Sequence, residues 1–282
     1  MKPALYGEYS GAAFRERRAE LVFARGGGRS ALVRQVTPYP FHVTRPFALD
    51  AARPDLATLY LQSASGGIYR GDRLELDLAV RPGAAAHVTS QAATVVHHTG
   101  AQRARQITRL SVAEGAFAAL TLDPLILFPG AELTVETSVH LAPGALAILA
   151  EGVAAHDFSG AGRPFGELRA ETSVFGPDGK LLLADRSTVP GAEFAELLGP
   201  GMAAYGSALL LGPEGRLPDP AALEAALDAV GCLAAACPAP NGAGLSVRMI
   251  ASNGGRIVTG VETVFALGAE AMLGFSPARR RK

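Results

Sequence analysis

The chain has 282 residues, of which 49% are apolar and 18% charged, with Lys+Arg and Asp+Glu equal at 26 each. That length and apolar share suffice for a buried core and exclude a disordered chain. The balanced charge gives no general attraction to nucleic acid or to an anionic membrane.

In chain order, residues 1–20 read as a polar lead-in, a loop or frayed strand. Their opening, MKPALYGEYSGAAF, lacks the apolar h-region of a signal peptide. Glu20–Arg25 and Ala31–Val36 flank Gly26-Gly27-Gly28 as a hairpin. Pro38, Pro40 and Pro46 keep the next stretch irregular, and Ala57–Gln62 is a strand. From Leu74 to Val80 apolar residues alternate with polar ones, the period of a half-buried strand. Arg81-Pro82-Gly83 then turns the chain into a strand that opens Ala84, Ala86, Val88 and runs into Thr89-Ser90-Gln91. Polar groups set among apolar ones there are either hydrogen-bonded in the interior or functional.

A repeat is centred on Gly83, Gly115 and Gly144, spaced 32 and 29 residues apart. Five residues before each glycine stands Leu78, Leu110 or Val139, and three before it Val80, Val112 or Leu141. One after it stands Ala84, Ala116 or Ala145, and five after it Val88, Leu120 or Leu149. A fainter copy surrounds Gly27, with Val22 and Leu32. Each unit reads as a strand, a tight turn and a strand in the manner of a hairpin, with one apolar face. Such a unit is unstable alone, but stacked copies share a core.

Gln106–Val112 and Leu133–Val139 are strands, and Leu122–Ala131 is a buried run bounded by prolines. Residues 156–167 form a polar glycine-rich loop. Leu168–Phe175 and Lys180–Arg186 flank Gly176-Pro177-Asp178-Gly179 as a hairpin. Tyr205–Leu211 and Leu245–Ile250 are strands. Asp219-Pro220 starts a helix whose apolar positions, Leu223, Leu227, Val230 and Leu233, run up to Pro238. Residues 256–273 make a second helix. The fold class is therefore mainly β, a stacked-strand, β-helix-like architecture with two α-helices in the C-terminal third. It forms one domain over 1–282, with flexible ends at 1–19 and 276–282. No run of about 18 uncharged apolar residues occurs, so no membrane span is expected and the compartment is the cytoplasm.

Residues with chemical potential are scattered. His97 and His98 are adjacent, so a regular strand would point them to opposite faces, and they are weak metal candidates. Cys232 and Cys237, placed on the first helix, read as small buried apolar residues rather than ligands. His156-Asp157 with Ser159 lacks the geometry of a triad, since sequence neighbours rarely form one. Gly176–Lys180 is too short for a phosphate loop, and Leu181 stands where Ser or Thr belongs. No catalytic constellation emerges from the residues themselves.

Three blocks in order resemble the UreD/UreH family of urease accessory proteins: Gly66–Leu74 (GGIYRGDRL), Thr89–Thr94 (TSQAAT) and Pro124–Ala131 (PLILFPGA). Leu245–Arg248 (LSVR) also fits, and the order holds over residues 20–275. The chain departs from the family in lacking tryptophan and in carrying Val95-Val96-His97-His98 after the second block. The resemblance implies a β-rich stacked fold with two helices and a non-enzymatic role in urease maturation. It implies binding to apo-urease and to UreF, with UreG joining through UreF, and help in delivering nickel. No nucleic acid or membrane partner is implied. No cofactor is expected to be tightly bound, and nickel would be transient. Polar residues among apolar strands would line an internal passage: Asp72, Thr89, Ser90 and Gln91 first, then Glu151 and Glu167. A β-solenoid carbohydrate hydrolase or lyase, which would need a carboxylate cluster in one groove, and a passive assembly scaffold are the alternatives.

Overall fold

The computed structural model describes residues 14–278. The chain opens with an antiparallel hairpin, β1 (Glu16–Gly26) and β2 (Arg29–Val36), so residues 16–19 of the expected frayed lead-in belong to a strand. Then come β3 (Phe41–Val43), β4 (Leu56–Ser63), β5 (Arg73–Val80), β6 (Ala85–Ser90), β7 (Thr94–Val96), β8 (Ala104–Val112), β9 (Phe117–Thr121) and β10 (Leu125–Leu127). They are followed by β11 (Glu132–Leu141), β12 (Leu146–Ala155), β13 (Glu167–Phe175), β14 (Leu181–Pro190) and a short helix, α1 (Phe194–Leu198). The last elements are β15 (Ala204–Leu211), α2 (Pro220–Ala229), β16 (Cys232–Pro238), β17 (Gly244–Ala251) and α3 (Gly254–Leu273).

Two sheets face one another. The first has the order β14-β13-β11-β8-β5-β1-β2, and the second β16-β17-β15-β12-β9-β6-β4-β3. The repeat forms the middle of both. Leu78, Leu110 and Val139 are in register across β5, β8 and β11, and Val88, Leu120 and Leu149 across β6, β9 and β12. All these ladders are parallel. The units are therefore not hairpins: the two strands around each glycine never pair with each other, and the turn carries the chain from one sheet to the other. The short strands β7 and β10 and the end of β12 pair in parallel and bend each coil back. A parallel arrangement wins because a coil pairs its backbone with the coils on either side while both strands turn apolar side chains inward. The segment around Gly27 is not a coil, since β1 and β2 lie in the same sheet.

Gly83, Gly115 and Gly144 all adopt positive φ, at 66°, 61° and 67°. A Cβ on Gly115 would meet nothing within 4 Å, so only the backbone conformation opposes a side chain there. Gly115→Ala is expected to cost about 1–2 kcal/mol in urea unfolding, and Gly115→Asn less. Equal stability of the alanine variant and the wild type would show that the turn relaxes freely.

Phe23, Leu21, Leu78, Leu110, Val88 and Leu211 fill the space between the sheets at one end. Leu74, Leu127, Leu133, Val135, Phe165 and Phe194 fill it at the other. α3 lies across the outside of the second sheet and buries Ile257, Val261, Val264, Phe265 and Met272 against Ile148, Leu210 and Met249. Its N-terminus is capped by Asn253, whose Oδ1 accepts from Arg256 N at 3.0 Å. The outer face of the first sheet carries cross-strand pairs such as Arg109–Glu75 and Arg105–Glu136, each partly exposed and worth little alone.

The first expected helix is shorter than its apolar spacing suggests. Asp219 caps it as anticipated, its carboxylate accepting from Ala222 N at 2.8 Å. It ends at Ala229, and Gly231 with φ 84° follows directly. Residues 232–238 are then a strand, β16. The two cysteines therefore lie on opposite faces of a strand and not on a helix. Cys232 is fully buried as expected, but Cys237 is exposed. Leu233, expected on the apolar helix face, is 57% exposed. Helix α1 was not anticipated. It follows a 3-10 turn and has only 5 residues, too few for a periodic signal. Among the described residues, no helix is long and apolar enough to cross a membrane.

Candidate functional site

The apolar filling between the sheets is interrupted by a polar layer. On the inner face of the first sheet, Thr108, Thr137, Thr172 and Asp185 stand in one row, in register across β8, β11, β13 and β14. Opposite them, Glu151, Ser207 and Arg248 stand in register across β12, β15 and β17 of the second sheet. Strand alternation explains the layer. Glu151 lies two residues from Leu149 and two from Val153, both inward-facing, so it must face inward too. The guanidinium of Arg248 crosses the gap to form an ion pair with Asp185.

Three cavities meet at Glu151. The first, about 100 Å³, runs from exposed Ser63, Gln91 and Ala92 past Ser90, Gln106 and Asp123 to Glu151. The second, about 30 Å³, adds Thr137, Thr172, Asp185 and Ser207. The third, about 310 Å³, continues past Val153, Tyr205 and Phe194 to Leu197, which is 62% exposed. What surface Glu151 retains faces these cavities. Burial pushes its carboxyl above the ordinary carboxylate range, and the neighbouring Asp185 adds to the rise. Arg248 and a hydrogen bond with Ser207 oppose it. Burial likewise raises the Tyr205 phenol.

The residues singled out from the sequence divide between different places. Ser90, Gln91 and Glu151 line the cavities. Ser90 Oγ accepts from Asp123 N at 2.7 Å, and exposed Gln91 accepts from Gln62 at 3.2 Å. Thr89, one residue from Ser90, points the other way, under α3. There its hydroxyl donates to Thr121 O at 2.7 Å, beside His87, which stacks on Phe265. Glu167 is on the outer face of the first sheet, where Arg103 and then Arg169 hold its carboxyl below the usual range.

Asp72 closes the GGIYRGD turn. Its carboxylate accepts from Tyr69 N at 2.7 Å and from Arg15 Nε at 2.8 Å, and it is 3% exposed. Gly67 in the same turn has φ 137°, and a Cβ there would lie 2.3 Å from Val95 O. His97 belongs to this turn as well: its ring stacks on Tyr69 at 4.4 Å and Nε2 donates to Gly66 O at 2.9 Å. His98 packs over Gly130, where an added Cβ would fall 2.1 Å from its Nδ1. The first and third sequence blocks thus meet at one end of the sandwich. Among the described residues, no group of three or more His, Cys, Asp or Glu is placed to hold a metal. In the loop after β12, Asp157 accepts from both N and Oγ of Ser159 and from Arg163 N, which makes it the organiser of a turn.

Sequence reading missed Asp185, Ser207 and the threonine row. Arg248 was noticed only within a family block. Each is an ordinary polar residue in an alternating strand, and the one local sign was a charge at an inward position.

Comparison with known proteins agrees along the whole chain. The family model described as UreD urease accessory protein matches residues 15–282. The chain is 51% identical to urease accessory protein UreD 1 of Methylorubrum populi, covering 100% of this chain and 97% of that protein. It is 48% identical to UreD 3 of Bradyrhizobium sp. ORS 278, with 94% of each covered. It is 34% identical to UreD 1 of Pseudomonas syringae pv. syringae, covering 95% of this chain and 96% of that protein. Shared sequence over essentially full length, together with the stacked coils and the three blocks in order, means that this chain belongs to the UreD family of urease accessory proteins.

Proposed function

We propose that this protein is a non-catalytic subunit of a cytoplasmic urease-maturation complex. It binds apo-urease and UreF, UreG joins through UreF, and nickel crosses the protein between its two sheets. The observation that carries this reading is the convergence of three cavities on Glu151, in a polar layer that interrupts the apolar filling between the sheets. Carboxyl and hydroxyl oxygens are weak ligands for nickel compared with histidine or thiolate, and weak binding suits a route that must release its cargo. Ser90, Gln91 and Glu151 line that route, and Asp72, His97 and His98 hold one end of the fold in shape. The carbohydrate-enzyme reading is less well supported. Glu151 shares a cavity of about 30 Å³ with Asp185 and one of about 100 Å³ with Asp123, both well below the size of an ordinary small-molecule site.

The test is co-expression of the urease subunits and the other accessory proteins with and without this chain, at limiting nickel. Omitting it is expected to leave urease inactive, and tagged chain is expected to recover UreF and apo-urease. Full urease activity and nickel content without it would refute the reading.

A further inference from the structure

Among the described residues, Arg248 is the one cationic side chain in the polar layer between the sheets. It stands in register with Ser207, which is in register with Glu151, and it reaches Asp185 on the edge strand of the opposite sheet. Glu151, Asp185, Ser207, Thr137 and Thr172 line one small cavity. Two carboxyls and three hydroxyls thus meet at one point, beside the Gln106 amide and apolar neighbours such as Leu120, Val135 and Leu149. Oxygen donors gathered at one point suit a divalent cation and hold it more tightly than the single oxygens along the rest of the route. Arg248 changes that balance in two ways. It engages the Asp185 carboxylate, and it places a permanent positive charge beside Glu151.

We propose that Arg248 is the resident counter-cation of the Glu151 junction, and that it prevents a divalent cation passing between the sheets from being trapped there. The inference rests on the passage reading above. A dication at Glu151 competes with the guanidinium for carboxylate oxygen and is repelled by it, a repulsion that the partial exposure of the Arg248–Asp185 pair screens only in part. The pair also has room to yield. The side chains of Arg248 and Asp185 are 36% and 38% exposed, so the guanidinium can swing toward solvent as a cation passes and return afterwards. The bland alternative is a strut: an ion pair that only ties the edge of one sheet to the other. A strut predicts that losing Arg248 lowers stability and leaves cation affinity unchanged.

The experiment compares Ni²⁺ binding, with the metal salt alone, to the full-length chain at pH 7 by equilibrium dialysis and by retention through desalting. Arg248→Gln is expected to bind Ni²⁺ about tenfold or more tightly than wild type, equivalent to ~1.4 kcal/mol or more. Arg248→Lys, which keeps the charge, is expected to stay near wild type. The double variant Glu151→Gln/Arg248→Gln is expected to lose the gain, because the trap needs that carboxylate. Arg248→Met keeps the apolar stem and carries the same expectation as Arg248→Gln if the glutamine variant does not fold. Unchanged affinity in both neutral variants, or a gain that persists in the double variant, overturns the proposal. The passage reading is tested separately, by urease activation with Glu151→Gln. Loss of activation there with unchanged affinity in Arg248→Gln keeps the passage and removes the role of Arg248.

Discussion

Glu151→Gln is expected to cut urease activation at limiting nickel by about tenfold or more, which corresponds to losing an interaction of ~1.4 kcal/mol with the passing cation. The substitution is nearly isosteric and keeps a side chain able to hydrogen-bond Ser207. What it removes is an oxygen able to carry negative charge beside the passing cation. Stability is expected to be unchanged at acidic pH and equal or higher at neutral pH. The sign follows from the raised carboxyl. The folded state holds this proton more tightly than the unfolded state does. Wild type therefore loses stability as pH rises from the ordinary carboxylate value toward the raised one, and the amide does not. The measurements are specific urease activity in co-expressing cells and urea unfolding of the purified chain at two pH values. Wild-type activation by a folded Glu151→Gln protein would remove Glu151 from the route.

Asp72→Ala is expected to lose about 2–4 kcal/mol of stability, slightly below the usual range for breaking a fully buried pair because Arg15 keeps some contact with water. Arg15 is 18% exposed and Asp72 3%. The substitution leaves the guanidinium without its carboxylate, with only Gly67 O still accepting from it, and Tyr69 N without its acceptor. The turn that seats Tyr69 on His97 then loosens. Asp72→Asn keeps an acceptor for Tyr69 N and is expected to recover part of the loss. Urea unfolding followed by circular dichroism measures both. A difference below about 0.5 kcal/mol, the ordinary range for a surface change, would mean that the turn is held by its glycines and ring stack alone. One consequence concerns assays of function. Lost urease activation in Asp72→Ala reports a weakened fold and says nothing about the cavities, which Asp72 does not line.

The repeat was legible because its signals are local. Positive-φ glycines and inward apolar residues at fixed offsets recur, and the register of the coils follows them position by position. The hairpin reading of each unit failed because a strand–turn–strand pattern looks the same whether its strands pair together or lie in facing sheets. Only neighbouring coils, offering parallel partners, decide between the two. At the first late helix the apolar spacing ran on past the true end. Gly231 was the available stop signal, and alternation in an alanine-rich strand is faint.

The polar layer was half legible. Glu151 shows in the sequence as a lone charge in an apolar strand, and Ser90 and Gln91 as polar residues interrupting one. Thr89 belongs to the same polar triplet but faces α3, since neighbours on a strand point to opposite sides. Asp72, equally prominent in its motif, is consumed by Arg15 and Tyr69.

The sequence by itself determined the repeat, its turn glycines, the Asp219 helix cap and the family. These follow from backbone preference and from periodicity over a few residues. Only the tertiary structure decided which polar side chains meet. Arg248 and Asp185 lie 63 residues apart on strands of opposite sheets, and Glu151 is on a third strand, β12. What a buried charge faces is set by how whole sheets stack, and no local pattern encodes that.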